Sequence, residues 1–331
     1  YPDIVPDDEK LTADIKLYIS KGSKVKISRI NISGNNVTRD KVIRRELLIQ
    51  ENDLYNETFI RKSKEKLMQL GYFDDVNFAT PRSGSDDVVD LDINVKERST
   101  GSFNISVGFS TFENFIFSGS IQKDNFFGYG ISGQASAQLS SKRQYFFLNG
   151  RDPYFLDTNT IFGASLYHTN YAYEDFSRMA FGGDLSFGRR FFDKYSAEVG
   201  YKIEDVSVGS FSNVVPQYFR EGSSGLTSAA TFNMTRDDRD NRIFAKDGTL
   251  NVFSAEVASK EIGSDNQYLR LIYKSIFYQP LWKKLLLFRA FGRIGWMRSL
   301  NDDTLPLFER FFMGGPYDLR GYYPSSVGPS L

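Results

Sequence analysis

From about residue 101 to 298 the chain alternates between apolar and polar positions with period two. Phe103, Ile105, Val107 and Phe109 share one face, and Asn104, Ser106 and Gly108 the other. Ile131, Gly133, Ala135, Ala137 and Leu139 alternate with Ser132, Gln134, Ser136 and Gln138. Phe181, Leu185 and Phe187 oppose Asp184 and Ser186, and Ala197, Val199, Tyr201 and Ile203 oppose Glu198, Lys202 and Glu204. Leu226, Ala230, Phe232 and Met234 form a further set. Leu286, Phe288, Ala290, Ile294 and Trp296 alternate with Leu287, Arg289, Phe291, Arg293 and Gly295. Such alternation predicts half-buried strands, here about eleven, broken by Gly, Asp, Asn and Pro.

Residues 22–97 have a mixed texture. Val25, Ile27, Ile30 and Ile32 predict a strand over 24–33, followed by a turn at Gly34-Asn35-Asn36. Thr38 is placed to cap a helix from Arg39 to about Ile49, with Val42, Ile43 and Leu47 on one side. Asn56 is placed to cap a second helix from Glu57 to Leu70, and Gly71 to end it. Strands are expected over Tyr72–Thr80 and Val88–Glu97. The order strand, helix, helix, strand, strand makes a small α+β domain with two helices on one face of a sheet. In residues 1–21, Leu11, Ala13, Ile15, Leu17 and Ile19 echo the Val89–Val95 alternation, and the segment reads as the final strand of a preceding copy.

A soluble sandwich and a membrane barrel compete for the C-terminal region. Sandwich strands usually run about 5 to 6 residues, whereas these are long enough for a tilted membrane crossing. Residues 151–155 and 191–195 are compact breaks, and 170–177 and 207–224 read as long ones; short turns at one rim and long loops at the other are the barrel pattern. The compact breaks carry Phe and Tyr, as an interfacial girdle does. No apolar run reaches the length of a transmembrane helix; Leu285–Phe288 stops at Arg289. The start at Tyr1-Pro2-Asp3 reads as internal, with any targeting segment upstream.

Composition narrows the chemistry. With 41 basic and 41 acidic side chains the overall field does not steer the chain to nucleic acid. Cysteine is absent and His168 is the lone histidine, so thiol chemistry, soft metal sites and the usual nucleophile–base pairs have no material. Gly128-Tyr129-Gly130-Ile131-Ser132-Gly133 matches a dinucleotide fingerprint in letters, but it opens a strand rather than a helix. The Arg236–Arg242 cluster lacks the glycine and glutamate of a calcium loop and reads as an ion-paired turn. No catalytic site, metal or cofactor is expected.

The informative stretch is Phe308–Tyr322, a long loop after the eleventh strand holding Gly314-Gly315 and then Leu319-Arg320-Gly321-Tyr322. It resembles the sixth extracellular loop of the BamA-type outer-membrane assembly family, whose pattern is Gly-Gly, a spacer and Val-Arg-Gly-Phe. Ser326-Val327-Gly328-Pro329 fits as well. Gly34-Asn35, Thr38-Arg39-Asp40, Val42–Glu46 and Leu70-Gly71-Tyr72-Phe73 resemble that family's barrel-proximal POTRA (polypeptide-transport-associated) domain. Val95–Arg98 with Gly101-Ser102-Phe103 resembles its junction, and Asp124–Gly128 and Asp152–Phe155 match barrel strands.

The resemblance implies three parts: residues 1–21 from a preceding POTRA domain, 22–98 the barrel-proximal POTRA domain, and 99–331 the first eleven strands of a sixteen-stranded transmembrane β-barrel in the bacterial outer membrane. It implies insertion of other barrel proteins through a lateral gate, without nucleotide hydrolysis. A two-partner-type or TamA-like pore is the alternative. Gly101 and Phe103–Phe109 (Phe103, Asn104, Ile105, Ser106, Val107, Gly108, Phe109) are the implied gate strand. Gly314, Gly315, Leu319, Arg320, Gly321 and Tyr322 are the implied lumenal loop motif, with Arg320 pairing carboxylates of strands beyond residue 331. Arg44 and Glu51 are implied docking points for a BamD-like lipoprotein, alongside other BAM subunits. Asp75, Val76, Asn77 and Phe78 are the edge expected to accept unfolded clients. Outer-membrane lipid completes the expected partners, and nucleic acid is not among them.

Overall fold

The computed structural model describes residues 2–7, 12–17, 24–81, 87–173, 176–192, 194–213, 217–220, 224–241, 244–282, 285–301, 305–315, 318–323 and 326–328. It divides into two compact units, Tyr1–Thr100 and Gly101–Leu331.

In the first unit, β1 (Pro2–Asp7) pairs antiparallel with β2 (Thr12–Leu17). The described part of the alternation over 11–19, residues 12–17, is thus one arm of a hairpin, and Leu11 and Ile19 lie outside the described residues. The following elements are β3 (Lys26–Ser33), α1 (Asp40–Arg44), α2 (Glu57–Gln69), β4 (Phe73–Ala79) and β5 (Val88–Glu97). The sheet order is β3-β5-β4, with β5 parallel to β3 and antiparallel to β4. Ile27, Ile30, Val42, Ile43, Ile60, Leu67, Val76, Leu91, Ile93 and Val95 form its core. As the central strand, β5 buries Leu91, Ile93 and Val95 at every second position.

Local chemistry sets the helix limits. Asn56 caps α2 by accepting a hydrogen bond from the Phe59 amide at 3.2 Å. Gly71, at φ +73°, turns the chain out of it. The first helix is shorter than its apolar spacing predicts. It ends at Arg44 because the Leu48 amide donates to the Ser63 hydroxyl (2.8 Å), not to a carbonyl of its own helix. Nor does Thr38 cap it: Arg39 is the capping residue and uses no side-chain bond. Thr38 is buried, and its amide donates to Glu97.

The second unit is one eleven-stranded antiparallel meander: β6 (Gly101–Ser110), β7 (Asn114–Phe126), β8 (Ile131–Leu139), β9 (Arg143–Asp152), β10 (Thr160–Ala172), β11 (Ser177–Phe191), β12 (Tyr195–Gly209), β13 (Gly225–Asp237), β14 (Gly248–Ala258), β15 (Tyr268–Leu281) and β16 (Leu286–Ser299). Each strand pairs only with its sequence neighbours, so β6 and β16 are the edges, and no described second sheet faces this one as a sandwich requires. The register puts one apolar column beside the next. Phe103 opposes Ile121, Ile121 opposes Ala135, and Ala135 opposes Leu148; further on, Phe232 opposes Ala255 and Leu271 opposes Trp296. Partners in register share a face, so one side is largely apolar, with polar residues such as Arg236, Asn251 and Ser275 among the apolar ones, and much of it is exposed. His168 lies on this side, its ring 6.4 Å from Phe146.

The other side is polar and concave. Arg151 on β9 reaches Glu198 on β12 at 2.5 Å, across three strand spacings that would span about 14 Å in a flat sheet. Short connections occur on both rims. The rim where the chain enters β6, hereafter the entry rim, carries connections 127–130, 153–159, 192–194, 238–247 and 282–285. The far rim carries 111–113, 140–142, 173–176, 210–224 and 259–267. The break expected to be long at 170–177 is therefore only residues 173–176, because β10 and β11 continue into it. No described helix is long and apolar enough to cross a membrane, which does not bear on crossing by strands.

Candidate functional site: an edge strand, an inner loop and two sheet edges

The implied gate strand is β6, and its free side has no described partner strand. Phe103, Ile105, Val107 and Phe109 stand 64–70% exposed on the apolar side. Asn104 and Ser106 line the polar side, where the Ser106 and Ser118 hydroxyls hydrogen-bond at 2.6 Å. Gly101 and Gly108 end the run without close neighbours at the Cβ position.

The stretch after β16 crosses the concave face. Glu309 is buried (6% exposed) and pairs with Arg270 of β15. Arg270 also holds Glu256 of β14 at 2.5 Å, and Glu256 accepts from Lys202 of β12 at 2.7 Å and from the Tyr268 hydroxyl at 2.6 Å. Two cations thus balance two carboxylates, one of them supplied by the loop. Farther round, Arg178 of β11 lies 5.3 Å from the Phe308 ring centroid, and Phe312 packs against the buried Phe176. Phe311 sits over Gly295: a Cβ there would lie 2.6 Å from its ring, so any side chain at this position must displace that ring.

Beyond, the Met313 and Val327 backbones exchange hydrogen bonds, and the Gly315 amide donates to the Tyr322 carbonyl at 3.0 Å. The motif therefore forms a closed turn. Gly315 is buried, Gly314 and Leu319 are half-buried, and Arg320, Gly321 and Tyr322 are exposed. Tyr323 meets Phe112 of the β6–β7 turn with centroids 6.2 Å apart, so the loop reaches the gate hairpin. Arg320 is the basic residue of the loop's sequence motif, whereas the buried ion pair of this stretch is made by Glu309. Glu309 lies outside that motif, and its sequence signal is a lone carboxylate inside Phe308-Glu309-Arg310-Phe311-Phe312, itself a sign of a buried ion pair.

In the first unit Arg44 and Glu51 come together at 3.6 Å beside the outer edge of β3. Arg44 donates to the Ile30 carbonyl (2.8 Å) and Glu51 accepts from the Ile30 amide (3.2 Å). Residues 52–55 bond the same edge at Val25 and Ile27. The pair thus closes an edge against stray pairing. The other edge is β4. Val76 is in the core and Phe78 packs on it, while Asp75 and Asn77 are exposed. The Asp75 carboxylate already accepts the Val76 amide (2.9 Å) and the Asn77 side chain (2.8 Å), bonds an incoming strand must displace.

Glu97 organises the loop before α1. Its carboxylate accepts from the Asn36 and Val37 amides (both 2.9 Å) and from the Thr38 amide (2.6 Å). Partial burial opposes its ionisation, but the Thr38 hydroxyl and these amides outweigh that and hold its pKa below the ordinary value. Gly34 makes this approach possible: at φ +85°, its Cβ would lie 2.0 Å from the Val95 carbonyl oxygen. Of the Arg236–Arg242 cluster, Arg239 pairs with Asp237 and Arg236 with Asp238, both at 2.8 Å, and Arg242 lies outside the described residues. Among the described residues no group of three or more acidic or histidine side chains is placed to hold a metal.

Comparison with known proteins agrees with this geometry. Residues 125–331 match the Omp85 superfamily domain, and residues 25–98 match the POTRA family, described as a surface antigen variable number repeat. The chain is 30% identical over 349 residues to the outer membrane protein assembly factor BamA of Neisseria meningitidis serogroup B, covering 99% of this chain and 43% of that protein. It is 29% identical over 322 residues to that of Nitratidesulfovibrio vulgaris, covering 97% and 41%. It therefore spans less than half the length of these relatives. BamA from Haemophilus ducreyi lacking POTRA domains 1–3 shares the fold with a TM-score of 0.78 at 21% identity, covering 99% of this chain and 66% of that one. The eleven-stranded meander, the loop against its polar face and the family match coincide: the chain belongs to the Omp85 superfamily, a POTRA domain followed by a stretch of its β-barrel.

Proposed function

We propose that this chain is the barrel-proximal part of an insertase that assembles β-barrel proteins into the bacterial outer membrane, with its POTRA domain in the periplasm. The observation that carries this is β6: a ten-residue strand at the edge of a membrane sheet, apolar toward lipid and Ser/Asn/Gly-rich toward the lumen. An edge in lipid leaves backbone groups unsatisfied and seeks a partner. Pairing through the backbone tolerates many client sequences. The process needs no nucleotide, metal or covalent intermediate.

Strand length supports the same reading. β6, β8 and β9 have 10, 9 and 10 residues, against 15 in β11 and β12. At about 3.4 Å per residue these three strands are roughly two-thirds the length of β11 and β12, with the 13-residue β7 between them intermediate. A short wall thins the adjacent bilayer and lowers the barrier to insertion.

The loop motif around Arg320 sets the lumenal position of the loop, with Arg320 paired to carboxylates of the closing strands. Arg44 and Glu51 give a charged face for a BamD-like lipoprotein within a BAM-type complex, and β4 takes unfolded clients by augmentation once Asp75 releases the Val76 amide. Residues 1–21 belong to a preceding POTRA domain. A photo-crosslinker in place of Ile105 in the full-length protein tests the gate. Adducts to nascent outer-membrane proteins are expected; none during active assembly would refute client pairing at β6. Charge reversal at Glu51 with undiminished lipoprotein recovery would refute the docking face.

A further inference from the structure

The bulky side chains of the second unit that stand at left-handed backbone positions lie on one rim. Phe127 (φ +50°), Leu156 (φ +54°), Phe192 (φ +49°) and Trp282 (φ +44°) occupy four of the five entry-rim connections. Such positions favour Gly, Asn or Asp, because a β-carbon crowds the backbone there. On the far rim the described left-handed residues are small: Asn114, Ser210, Gly225 and Gly263.

The same four side chains are also 78–90% exposed. Leu285, beside Trp282, and Phe244, in the fifth connection, are equally bare. Described aromatics of the far-rim connections instead turn inward: Phe176 is buried against Tyr173 and Phe312, and Phe112 meets Tyr323. The entry rim thus accepts two unfavourable terms at once, strained backbone and wetted apolar surface, at one turn after another.

Each tip continues the apolar outer side. Phe126, Phe191 and Leu281, the residues just before three of the tips, stand in register with Ile131, Tyr195 and Leu286 on that side. Beside Leu156, Phe155 packs on Phe162 and Phe187. Tips on successive connections of the rim stand two strands apart, about 9.5 Å. A row of separate apolar points around a rim suits a fluid lipid annulus better than one compact protein partner. Exposed Lys194 adjoins the Phe192 turn, and Lys283-Lys284 follow Trp282 in the sequence. Aromatic and lysine side chains together are the composition of the headgroup boundary.

We propose that the entry-rim tips insert into the phospholipid leaflet at that rim and fix the depth at which the barrel sits. This rests on the membrane-barrel reading above, and the test separates the two. The full-length protein is reconstituted in phosphatidylethanolamine–phosphatidylglycerol vesicles, with all tryptophans outside the chain replaced by Phe. W296F leaves Trp282 as the tip reporter. W282F leaves Trp296, on the apolar side of β16, as the belt reporter. F192W in the W282F/W296F background reports a second tip.

Lipids brominated just below the carbonyl are expected to quench both tip reporters at least about twofold more than lipids brominated at the chain end. Tip emission at the wavelength of water-exposed tryptophan, with Trp296 still quenched, overturns the inference and leaves the barrel reading standing. An unquenched Trp296 overturns both. Tips that stay wet until accessory lipoproteins are added mark a protein-docking surface and likewise overturn it. Finally, F127N/L156N/F192N/W282N keeps residues that tolerate the left-handed backbone. It is expected to shift the shallow-to-deep quenching ratio of Trp296, and an unchanged ratio overturns the depth-setting role.

Discussion

Replacing Glu309 with Gln removes one charge from the cluster of Lys202, Arg270, Glu256 and Glu309 and leaves two cations facing one carboxylate. The Arg270 and Glu309 side chains are 20% and 5% exposed, so water compensates little. Breaking a buried pair by removing one partner costs about 3–5 kcal/mol. Arg270 retains Glu256, which brings the expected figure to about 2 kcal/mol, or roughly 30-fold in the equilibrium between docked and released loop. The loop swings away rather than the barrel unfolding, because its remaining anchors are aromatic contacts: Phe308 at Arg178, Phe312 at Phe176 and Phe311 over Gly295. Trypsin cleavage after Arg310 in the membrane-embedded full-length protein reads the released fraction. Glu309→Gln and Arg270→Gln should each accelerate cleavage by an order of magnitude or more, and the double variant by less than the product of the two. Unchanged cleavage in both single variants would refute the anchoring role of the pair.

Gly34→Ala forces a β-carbon onto the Val95 carbonyl oxygen at φ +85° and should destabilise the isolated POTRA domain by about 3 kcal/mol or more in urea unfolding. Glu97 has a folded pKa below its unfolded value of 4.5, so its contribution is present above that value and fades as pH falls through the folded pKa. The stability gap between wild type and Glu97→Gln should therefore be full at pH 7 and shrink in acid; a pH-independent gap counts against the charge-assisted bonds. Arg44→Ala leaves the Ile30 carbonyl without its guanidinium donor and should lower POTRA stability by about 1–2 kcal/mol, measured by thermal unfolding. Gly295→Leu should displace Phe311 and raise trypsin cleavage at Arg310 without abolishing barrel assembly.

Local signals were read well from sequence. The alternation of Val89, Leu91, Ile93 and Val95 gave β5 its observed limits, Asn56 and Gly71 bracket the second helix, and the apolar columns from Phe103 to Trp296 face one way as their period requires. Where long-range bonds decide, the pattern fell short. The first helix stops because Ser63, fifteen positions on, takes the Leu48 amide. Thr38 looks like a helix cap, yet it serves a carboxylate 59 positions away. Arg270 and Glu309 are 39 positions apart, and the pair forms because the loop after β16 folds back over the polar face to the neighbouring strand β15. The strained entry-rim turns escaped notice because bulky residues at turns carry no local signature of left-handed backbone.

The central claim of the proposed function is that the free edge of β6 must open from the strand that closes the barrel for assembly to proceed. Residues 1–331 hold no cysteine, so, with any cysteine outside them replaced, a cysteine in β6 paired with one in the strand that closes the barrel gives a reducible lock in the full-length protein. Outer-membrane protein assembly in cells carrying only the locked form measures the claim directly. The account predicts that assembly stops and returns on reduction; normal assembly with the lock fully formed would contradict it.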